Sequence, residues 1–512
     1  MKQQRGDFSQ GIQEVSSVLS ENIVLMETLF KDCADVVKRR FEVGGLHKVS
    51  IYFIYIDNMI NKELVEEDTL KYLLYKMEEL PEQDKFDYIK NKGIRSADTA
   101  ELKDLDEIIG ALVSGDTIIF IDGYAKALKI SNRGMANRGV PKVDNEVTVR
   151  GSKEAFSEAL FINRVLLRKR IKDPRFKIKQ LKIGTRTKTD VAICYIEDIA
   201  KPEILHDLEA RLKDFEVDGI FDSGGLEQLT ERNHYSPFPE FQSTERPDKA
   251  ASAMAEGRIV VIVDNSPMVL LLPTTLNTFY HASEDSYNQW EVATFSRILR
   301  FIASFLAVAL PGLYIAVVNF QPEVLSSSLS LYFAASRENI PFSILVEIFI
   351  IEISFEFLLE AGIRLPGPMG NTIGIVGGLI VGDAAVNANL ASPMVVIIVA
   401  LTAISAFAIP SQEFTTAFRL IRYIIIIASA FLGMFGFILS VLLVFIHLGG
   451  LTSFGTPYLL PFVATGISEG NEGKDAIIKA PITEMDKRPT FANANQRTRL
   501  RFNRERRNNS KL

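Results

Sequence analysis

The feature that most constrains this chain is a long apolar region near its carboxyl end, between Phe301 and Leu448. About the first 290 residues carry charges throughout, and the residues after Leu448 are polar and basic. Helices of about 20 apolar residues are the length that crosses a bilayer, and this region has room for several. The sequence therefore predicts an α-helical multi-pass membrane domain behind a polar N-terminal region, and it argues against a soluble domain with one anchor.

The chain's length and cysteine content narrow its class. A chain of 512 residues is too long for one ordinary core, so we expect two or more structural units. Cys33 and Cys194 are the only cysteines, which argues against a disulfide framework or a Cys-rich zinc site and favours free thiols in a reducing compartment. The formal net charge of -6 does not indicate nucleic-acid binding. The first residues, MKQQRGDFSQ, contain no apolar stretch of a signal peptide, so we expect the N-terminal region to be cytoplasmic.

The N-terminal region mixes helical and strand patterns, which predicts a soluble α/β region in two subdomains, 1–149 and 150–275. A helix is predicted to begin after Ser152 as its N-cap and to stop before Pro174. Short apolar runs bounded by turn residues predict strands and a hairpin. The strand runs are 49–57, 176–184 and 189–197, and the hairpin is 259–273; the stretch 108–123 is predicted as a helix end, a turn and a strand.

The rest of the chain is predicted to contain a linker over 276–297, a membrane domain of about five helices over 298–448, and a polar, basic C-terminal tail over 449–512. The candidate spans are 298–320, 341–363, 370–390, 392–409 and 420–448. The last candidate exceeds a minimal span, so we expect it to tilt or to extend beyond the bilayer. Basic residues at 497–507 favour a cytoplasmic C-terminus or contact with membrane lipid; a solvated disordered tail is the alternative.

The signatures of common enzymes are absent from the sequence. It has no Walker A loop, no GxGxxG after a strand, no HExxH and no nucleophile elbow. The five histidines are too widely scattered to suggest a metal cluster. We therefore expect no enzymatic activity, no catalytic residues, no cofactor and no metal site.

Four glycines spaced by four residues form one face of the third candidate span: Gly370, Gly374, Gly378 and Gly382. Such a face lets another helix approach closely. It is interpreted either as packing within the chain, or as a contact between subunits or the lining of a pore.

Asp383 and, four residues later, Asn387 follow this glycine face. An ionisable side chain at the middle of a bilayer costs on the order of 3 kcal/mol on insertion scales, so Asp383 must face water or a partner. A candidate ion path and a structural hydrogen bond are the two interpretations.

Three carboxylates lie on one helical face of the second candidate span: Glu352, Glu356 and Glu360. In hydrocarbon they repel one another, so we expect them to be protonated, hydrated or paired with arginines. Arg337 and Arg364 bracket the span and are the predicted partners. An amphipathic helix at the membrane surface is the alternative.

Longer stretches together resemble the A subunits of the GerA family of spore germinant receptors. The resemblance runs in order over roughly residues 110 to 465 and does not depend on a single motif. The stretches are VRGSKEAFSEALFINRVLLRKRIKDPRF (149–176), YIEDIAKPEIL (195–205), DSGGLEQL (222–229), YSPFPEFQSTERPDKAASAMAEGRIVVIVDNSPMVLLLP (235–273), AASRENIPFSILVEIFIIEISFEFLLEAGIRLPGPMGNTIGIVGGLIVGDAAV (334–386) and LTSFGTPYLLPF (451–462).

The resemblance implies a receptor subunit in the inner membrane of dormant spores, beside a transporter-like B subunit and a C-subunit lipoprotein. It implies that small nutrients trigger the complex, that cations then leave the spore core, and that germination begins. It also implies a homo-oligomer of the A subunit around an ion path, with the main nutrient site in the B subunit.

One position departs from the family pattern. Where the family commonly reads IGQAAV, this chain has VGDAAV at 381–386, which places Asp383 at a position usually occupied by glutamine. An acid facing a pore would favour cations. The other functions considered are a secondary transporter of a small nutrient, for which no repeat between the halves of the membrane region is visible, and a membrane-tethered enzyme.

Overall fold

The computed structural model describes residues 14–45, 47–75, 80–81, 84–94, 98–134, 141–364, 378, 381–463 and 470–500. These residues form two compact units. The sheet unit takes its described residues from Met1–Arg232, Phe241–Pro273 and Asp486–Leu512, and the helical unit from Asn233–Glu240 and Thr274–Met485. The chain therefore passes between the units more than once.

The first half of the sheet unit is a five-stranded antiparallel sheet in the order β1-β2-β4-β5-β3. Apolar side chains cover both of its faces, and the central strand, Thr117–Ile121, is buried along its whole length. Its elements are α1 (Leu19–Leu29), β1 (Val36–Val43), β2 (Val49–Ile56), α2 (Lys62–Val65), a π-helical turn (Glu66–Leu70), α3 (Lys71–Tyr75), α4 (Lys85–Tyr88), a second π-helical turn (Ile89–Gly93), β3 (Thr99–Leu102), α5 (Leu105–Val113), β4 (Thr117–Ile121) and β5 (Ala127–Ile130).

The second half is another five-stranded antiparallel sheet, in the order β6-β7-β9-β10-β8. Its elements are α6 (Leu160–Arg170), β6 (Phe176–Ile183), β7 (Thr189–Ile196), α7 (Pro202–Arg211), α8 (Ser223–Thr230), β8 (Gln242–Thr244), α9 (Pro247–Ala255), β9 (Ile259–Val263) and β10 (Val269–Leu272). The predicted α/β fold in two subdomains is thereby confirmed. The helix predicted to begin after Ser152 is α6, which begins only at Leu160. The chain at Ser152 is not helical.

The two halves are a structural repeat that the sequence patterns did not reveal. Both place the strands in the same order, with one helix before the first strand and another between the third and fourth. The same contacts also recur: the side chain of Asn22 bonds both backbone groups of Ser16, and that of Asn163 bonds those of Ser157. Likewise Asp122 accepts from the backbone of α1, and Asp264 from that of α6. Equal hydrogen bonds at equal places indicate one folding unit used twice.

A buried ion pair joins the two halves. Arg168 is fully buried, and its guanidinium donates to both carboxylate oxygens of Asp35, at 3.0 and 2.9 Å. It also donates to the carbonyl oxygen of Phe176 at 3.0 Å. A two-pronged arginine–carboxylate pair of this kind fixes orientation as well as distance.

The carboxyl-terminal residues complete the second half. In the first half, Asn61 donates its amide to the carbonyl of Asn132 in the chain that follows β5. In the second half the chain leaves the sheet unit after β10, and Asn493 instead donates to the carbonyl of Ile199, at 2.8 Å. Ala492 beside it is fully buried. We call residues 486–500 the C-terminal strap.

The helical unit consists mainly of long apolar helices. Its elements are α10 (Leu276–Tyr280), a 3₁₀ turn (Ser283–Ser286), α11 (Trp290–Phe320), a 3₁₀ turn (Pro322–Val324), α12 (Ser327–Ala335), α13 (Ile344–Arg364), helical residues 381–387, α14 (Pro393–Phe407), α15 (Gln412–Gly450), the short pair β11 (Thr452–Ser453) and β12 (Thr456–Pro457), and 3₁₀ turns at Glu472–Lys474 and Ile482–Glu484; a further 3₁₀ turn, Ala494–Gln496, lies in the strap. Among the described residues, α11 and α15 are long and apolar enough to cross a membrane. The predicted helical region behind the α/β region is confirmed.

The last helix folds back on itself, so the expectation of one span over 420–448 that tilts or extends beyond the bilayer was wrong. Gly433 has φ 61° and ψ -140°, a backbone conformation in which a β-carbon is disfavoured. A straight helix from Phe414 to His447 would be roughly 50 Å long. Instead the rings of both residues lie within 6.0 Å of the Phe238 ring. Helix α15 is therefore a hairpin with limbs 412–432 and 434–450.

Two predicted segments differ from the structure. The stretch 276–297, predicted as a linker, forms α10 and the start of α11, because Phe279 and Tyr280 bury their rings against Phe414. The stretch 449–512, predicted as a polar tail, is divided: its residues to 485 belong to the helical unit, and the C-terminal strap belongs to the sheet unit. The described part of this stretch is folded and not a polar tail, because side chains such as Tyr458 and Ala492 are buried in the two units.

Candidate functional site

The helical residues 381–387 carry the predicted polar position. Asp383 and Asn387 are exposed and, four residues apart, share one face of the helix, while Gly382 and Ala385 are buried on the other. Leu390, three residues after Asn387, is also exposed. Gly370 and Gly374 lie outside the described residues.

The two described glycines of the predicted ridge have room around them. A β-carbon added at Gly378 would meet the Phe355 ring at 3.9 Å, and one added at Gly382 would meet Val396 at 3.5 Å. Both distances are ordinary van der Waals contacts. Among the residues that the structure describes, these two positions therefore contact side chains and do not bring two helix backbones together.

The glutamate stripe of α13 pairs with arginines of α15, which the sequence analysis did not select. Arg422 donates to Glu352 at 2.8 Å and to Glu356 at 3.2 Å. Arg419 reaches the other oxygen of Glu356 at 3.2 Å. Glu352 and Arg422 are almost completely buried, whereas Glu360 lies at the exposed end of the stripe. The first limb of the hairpin thus supplies the positive charge that this stripe requires.

Arg337 and Arg364, the predicted partners of the glutamate stripe, are not paired with it among the described contacts. Arg337 pairs with Glu347 at 2.9 Å, and the side chain of Arg364 lies outside the described residues. The second oxygen of Glu347 accepts the backbone N–H of Ser392 at the start of α14, at 2.9 Å. A carboxylate at a helix N-terminus is favourable, so Glu347 links α13, α14 and the turn carrying Arg337. The signal that was overlooked is an arginine, Arg422, within an otherwise apolar run.

The sheet unit contains a groove of about 1130 Å³ between its two halves. The end of α1 and the following turn form one wall, and β6 with the chain after α7 forms the other. Its charged lining mixes both signs: Glu27, Lys31, Asp32, Lys38, Lys179, Lys182, Glu209, Lys213 and Glu216. Lys179 and Glu209 pair across 2.7 Å.

The groove combines charged and apolar side chains, and its cysteine is not activated. Burial raises the pKa of the Cys33 thiol in its lining, so the thiol stays protonated near neutral pH. Burial lowers the pKa of Lys38. Among the described residues no group of three His, Cys, Asp or Glu side chains is placed to hold a metal ion.

Comparison with known proteins places the chain in a family. The family model described as Bacillus/Clostridium GerA spore germination protein matches residues 24–491. The uncharacterized membrane protein YfkQ of Bacillus subtilis is 35% identical over 94% of this chain and 93% of its own length. Spore germination protein KA of B. subtilis is 36% identical over 95% of this chain and 88% of its own.

A solved structure also aligns. It is the crystal structure of the N-terminal domain of the A subunit of the Bacillus megaterium spore germinant receptor GerK3, 27% identical, covering 52% of this chain and 98% of that one with a TM-score of 0.39. The family match and the identities to relatives of nearly equal length agree with the resemblance found in the sequence. This chain belongs to the GerA family of spore germination proteins.

Proposed function

We propose that this chain is the A subunit of a germinant receptor that responds to small nutrients and helps to form a nutrient-gated cation path. It acts as a receptor without enzymatic activity, together with B and C subunits and with further copies of itself. The observation that carries this proposal is the exposed Asp383–Asn387 face, which lies on a helix between the long apolar helices of the helical unit.

The surroundings of that face support a membrane location. Large apolar side chains such as Phe305, Ile404 and Phe431 are more than half exposed on three helices of the unit. An apolar surface of this extent suits lipid acyl chains. A carboxylate is costly against the same lipid, so Asp383 requires water or another subunit beside it.

An acidic residue that borders water between several copies would attract cations. Gly382 and Ala385 hold the opposite face against this chain's own helices, which leaves Asp383 and Asn387 directed away from them. We propose that the helical unit crosses the inner membrane of the spore several times, with the sheet unit on the cytoplasmic side.

The groove supports a direct response to a small molecule. Pockets of 300–1,000 Å³ are typical of small-ligand sites, and this groove is slightly larger. Lysine and glutamate side chains on its walls suit a small molecule that carries charges of both signs.

The test is neutralisation of the carboxylate. Asp383→Asn keeps the shape and the hydrogen-bonding capacity of the side chain but removes its charge. Potassium efflux per receptor from germinating spores should slow severalfold, while the dependence on nutrient concentration stays the same. The matched control is Glu323→Gln, which removes an exposed carboxylate from a turn of the same unit. An unchanged efflux rate at unchanged receptor abundance would refute the ion-path role.

A further inference from the structure

The helical unit contains eight residues that interrupt the sequence of the sheet unit. The chain leaves the sheet unit after Arg232 and returns to it at Phe241. We call Asn233–Glu240 the insertion loop. It belongs to the helical unit although α8 before it and β8 after it belong to the sheet unit.

The insertion loop places one aromatic ring at the open end of the α15 hairpin. Phe238 is 3% exposed, and its ring centroid lies 5.8 Å from that of Phe414 on the first limb. On the second limb the His447 ring lies 6.0 Å away. Ser236 Oγ and His447 Nε2 are 2.9 Å apart, which adds a hydrogen bond to the second limb. The insertion loop thus contacts both limbs of the hairpin near their ends, far along the chain from the turn at Gly433.

The base of the loop is fixed by hydrogen bonds. The backbone N–H of Asn233 donates to the Glu240 carboxylate at 3.1 Å, which closes the loop. The Glu240 carbonyl accepts from Thr274 Oγ1 at 2.8 Å and from Ser453 Oγ at 2.7 Å. Ser453 lies three residues after the end of the second limb. The insertion loop, this short segment and the chain leaving β10 therefore share one set of hydrogen bonds.

The covalent connections to the sheet unit are short. Helix α8 ends at Thr230, three residues before Asn233, and β8 begins at Gln242, two residues after Glu240. At roughly 3.6 Å per fully extended residue, these links reach at most about 11 and 7 Å. Strand β8 is itself paired with β10 inside its sheet. A displacement of α8 or β8 that exceeds the reach of these links must therefore move the insertion loop.

We propose that the insertion loop is a coupling element through which the sheet unit sets the spacing between the two limbs of the α15 hairpin. Phe238 acts as a wedge between the limb ends, and the short links transmit movement to it. Such coupling needs an element with more than one arrangement, and we assign this role to the Phe238 ring, which contacts both limb ends. The inference goes beyond the proposed ion path, because it concerns the hairpin and not the Asp383 face.

The first experiment measures the wedge directly in the full-length chain. Spin labels at Gln412 and Gly449, with Cys33 and Cys194 replaced by alanine, report the distance between the limb ends by double electron–electron resonance. Phe238→Ala should broaden this distance distribution or shift its maximum, whereas Phe238→Leu should change it less. A distribution identical to that of the parent protein in Phe238→Ala would overturn the proposal.

The second experiment tests transmission. Four Gly-Ser residues are inserted after Arg232 and four more after Glu240. These insertions keep the contacts of Phe238 with the two limbs but lengthen the links to the sheet unit. At matched receptor abundance in spores, nutrient-triggered potassium release should be at least fivefold slower, with the limb distance unchanged. The control carries the same insertion after Pro322, in the turn between α11 and α12, and should respond normally. A normal nutrient response of the double-insertion variant would disprove coupling through the insertion loop. If the unmodified protein itself supports no nutrient-dependent potassium release, that result would count against the proposed function instead.

Discussion

The buried pair between Arg422 and Glu352 offers the sharpest test of how the helical unit is held together. The two charged groups meet at 2.8 Å, and both side chains are less than 5% exposed. The substitution Arg422→Met keeps most of the side-chain length and removes the charge. It leaves Glu352 buried without its arginine and leaves Glu356 with Arg419 only.

The size of the effect follows from burial. Removing one partner of a buried ion pair costs about 3–5 kcal/mol, because the remaining charge loses its compensation. Replacing both partners by apolar residues of similar volume is close to neutral. The double variant Glu352→Leu/Arg422→Met should therefore recover most of the stability that Arg422→Met loses.

A matched control lies one turn earlier on the same limb. Arg419 is 33% exposed and Glu356 is 27% exposed, so their pair is only partly desolvated. Because exposed pairs contribute about 0–1 kcal/mol, Arg419→Met should destabilise the protein by no more than that.

The assay is equilibrium unfolding of the purified full-length chain in detergent, followed by fluorescence. Trp290, at the start of α11, is the only tryptophan, so the signal reports on the helical unit. A cost below about 1 kcal/mol for Arg422→Met, or a double variant as unstable as the single one, would contradict the assignment of this pair as the contact that fixes α13 to α15.

Three further predictions concern the backbone, the strap and a histidine. Gly433→Ala should destabilise the hairpin by about 1–3 kcal/mol, because its φ of 61° with ψ of -140° strains a residue with a β-carbon; Gly362→Ala, at an open helical position, should be neutral or stabilising by about 1 kcal/mol in the same unfolding assay. A fragment of residues 14–273 should melt several degrees lower than the same fragment carrying 486–500 on a flexible linker, since the strap fills a buried place in the second half; equal melting temperatures would show that the strap does not stabilise the sheet unit. Burial, aided by a neighbouring arginine, lowers the pKa of His281 to about 4, so its contribution to stability is complete above about pH 6.5 and is lost as the pH falls toward 4, by no more than about 1.4 kcal/mol per pH unit; His281→Gln should flatten this part of the stability–pH curve, and an unaltered curve would contradict the burial of the ring.

Local patterns were sufficient for many elements. The β-branched run 49–57 forms β2 and the run 259–273 forms the hairpin of β9 and β10, because alternation and turn residues act over only a few positions. The apolar helices were predicted for the same reason, and the family was visible in the order of longer stretches.

Contacts between distant residues were not predictable in this way. Arg422 lies 70 residues after Glu352 along the chain, and nothing in either local pattern selects the one as partner of the other. Arg337, which is nearer to the glutamates in the sequence, was predicted as a partner, but in the structure it pairs with Glu347. Choice among several arginines is decided by which helices pack together, a property of the whole unit.

By itself, the sequence determined that this chain has an α/β region followed by apolar helices, and that Asp383 stands in an apolar segment. Only the tertiary structure decided that the α/β region is one unit repeated, that the strap completes it, and that α15 turns back at Gly433. The reason is physical: element type follows from the spacing of apolar side chains over one or two turns, whereas these features depend on burial and hydrogen bonds between residues far apart in the chain.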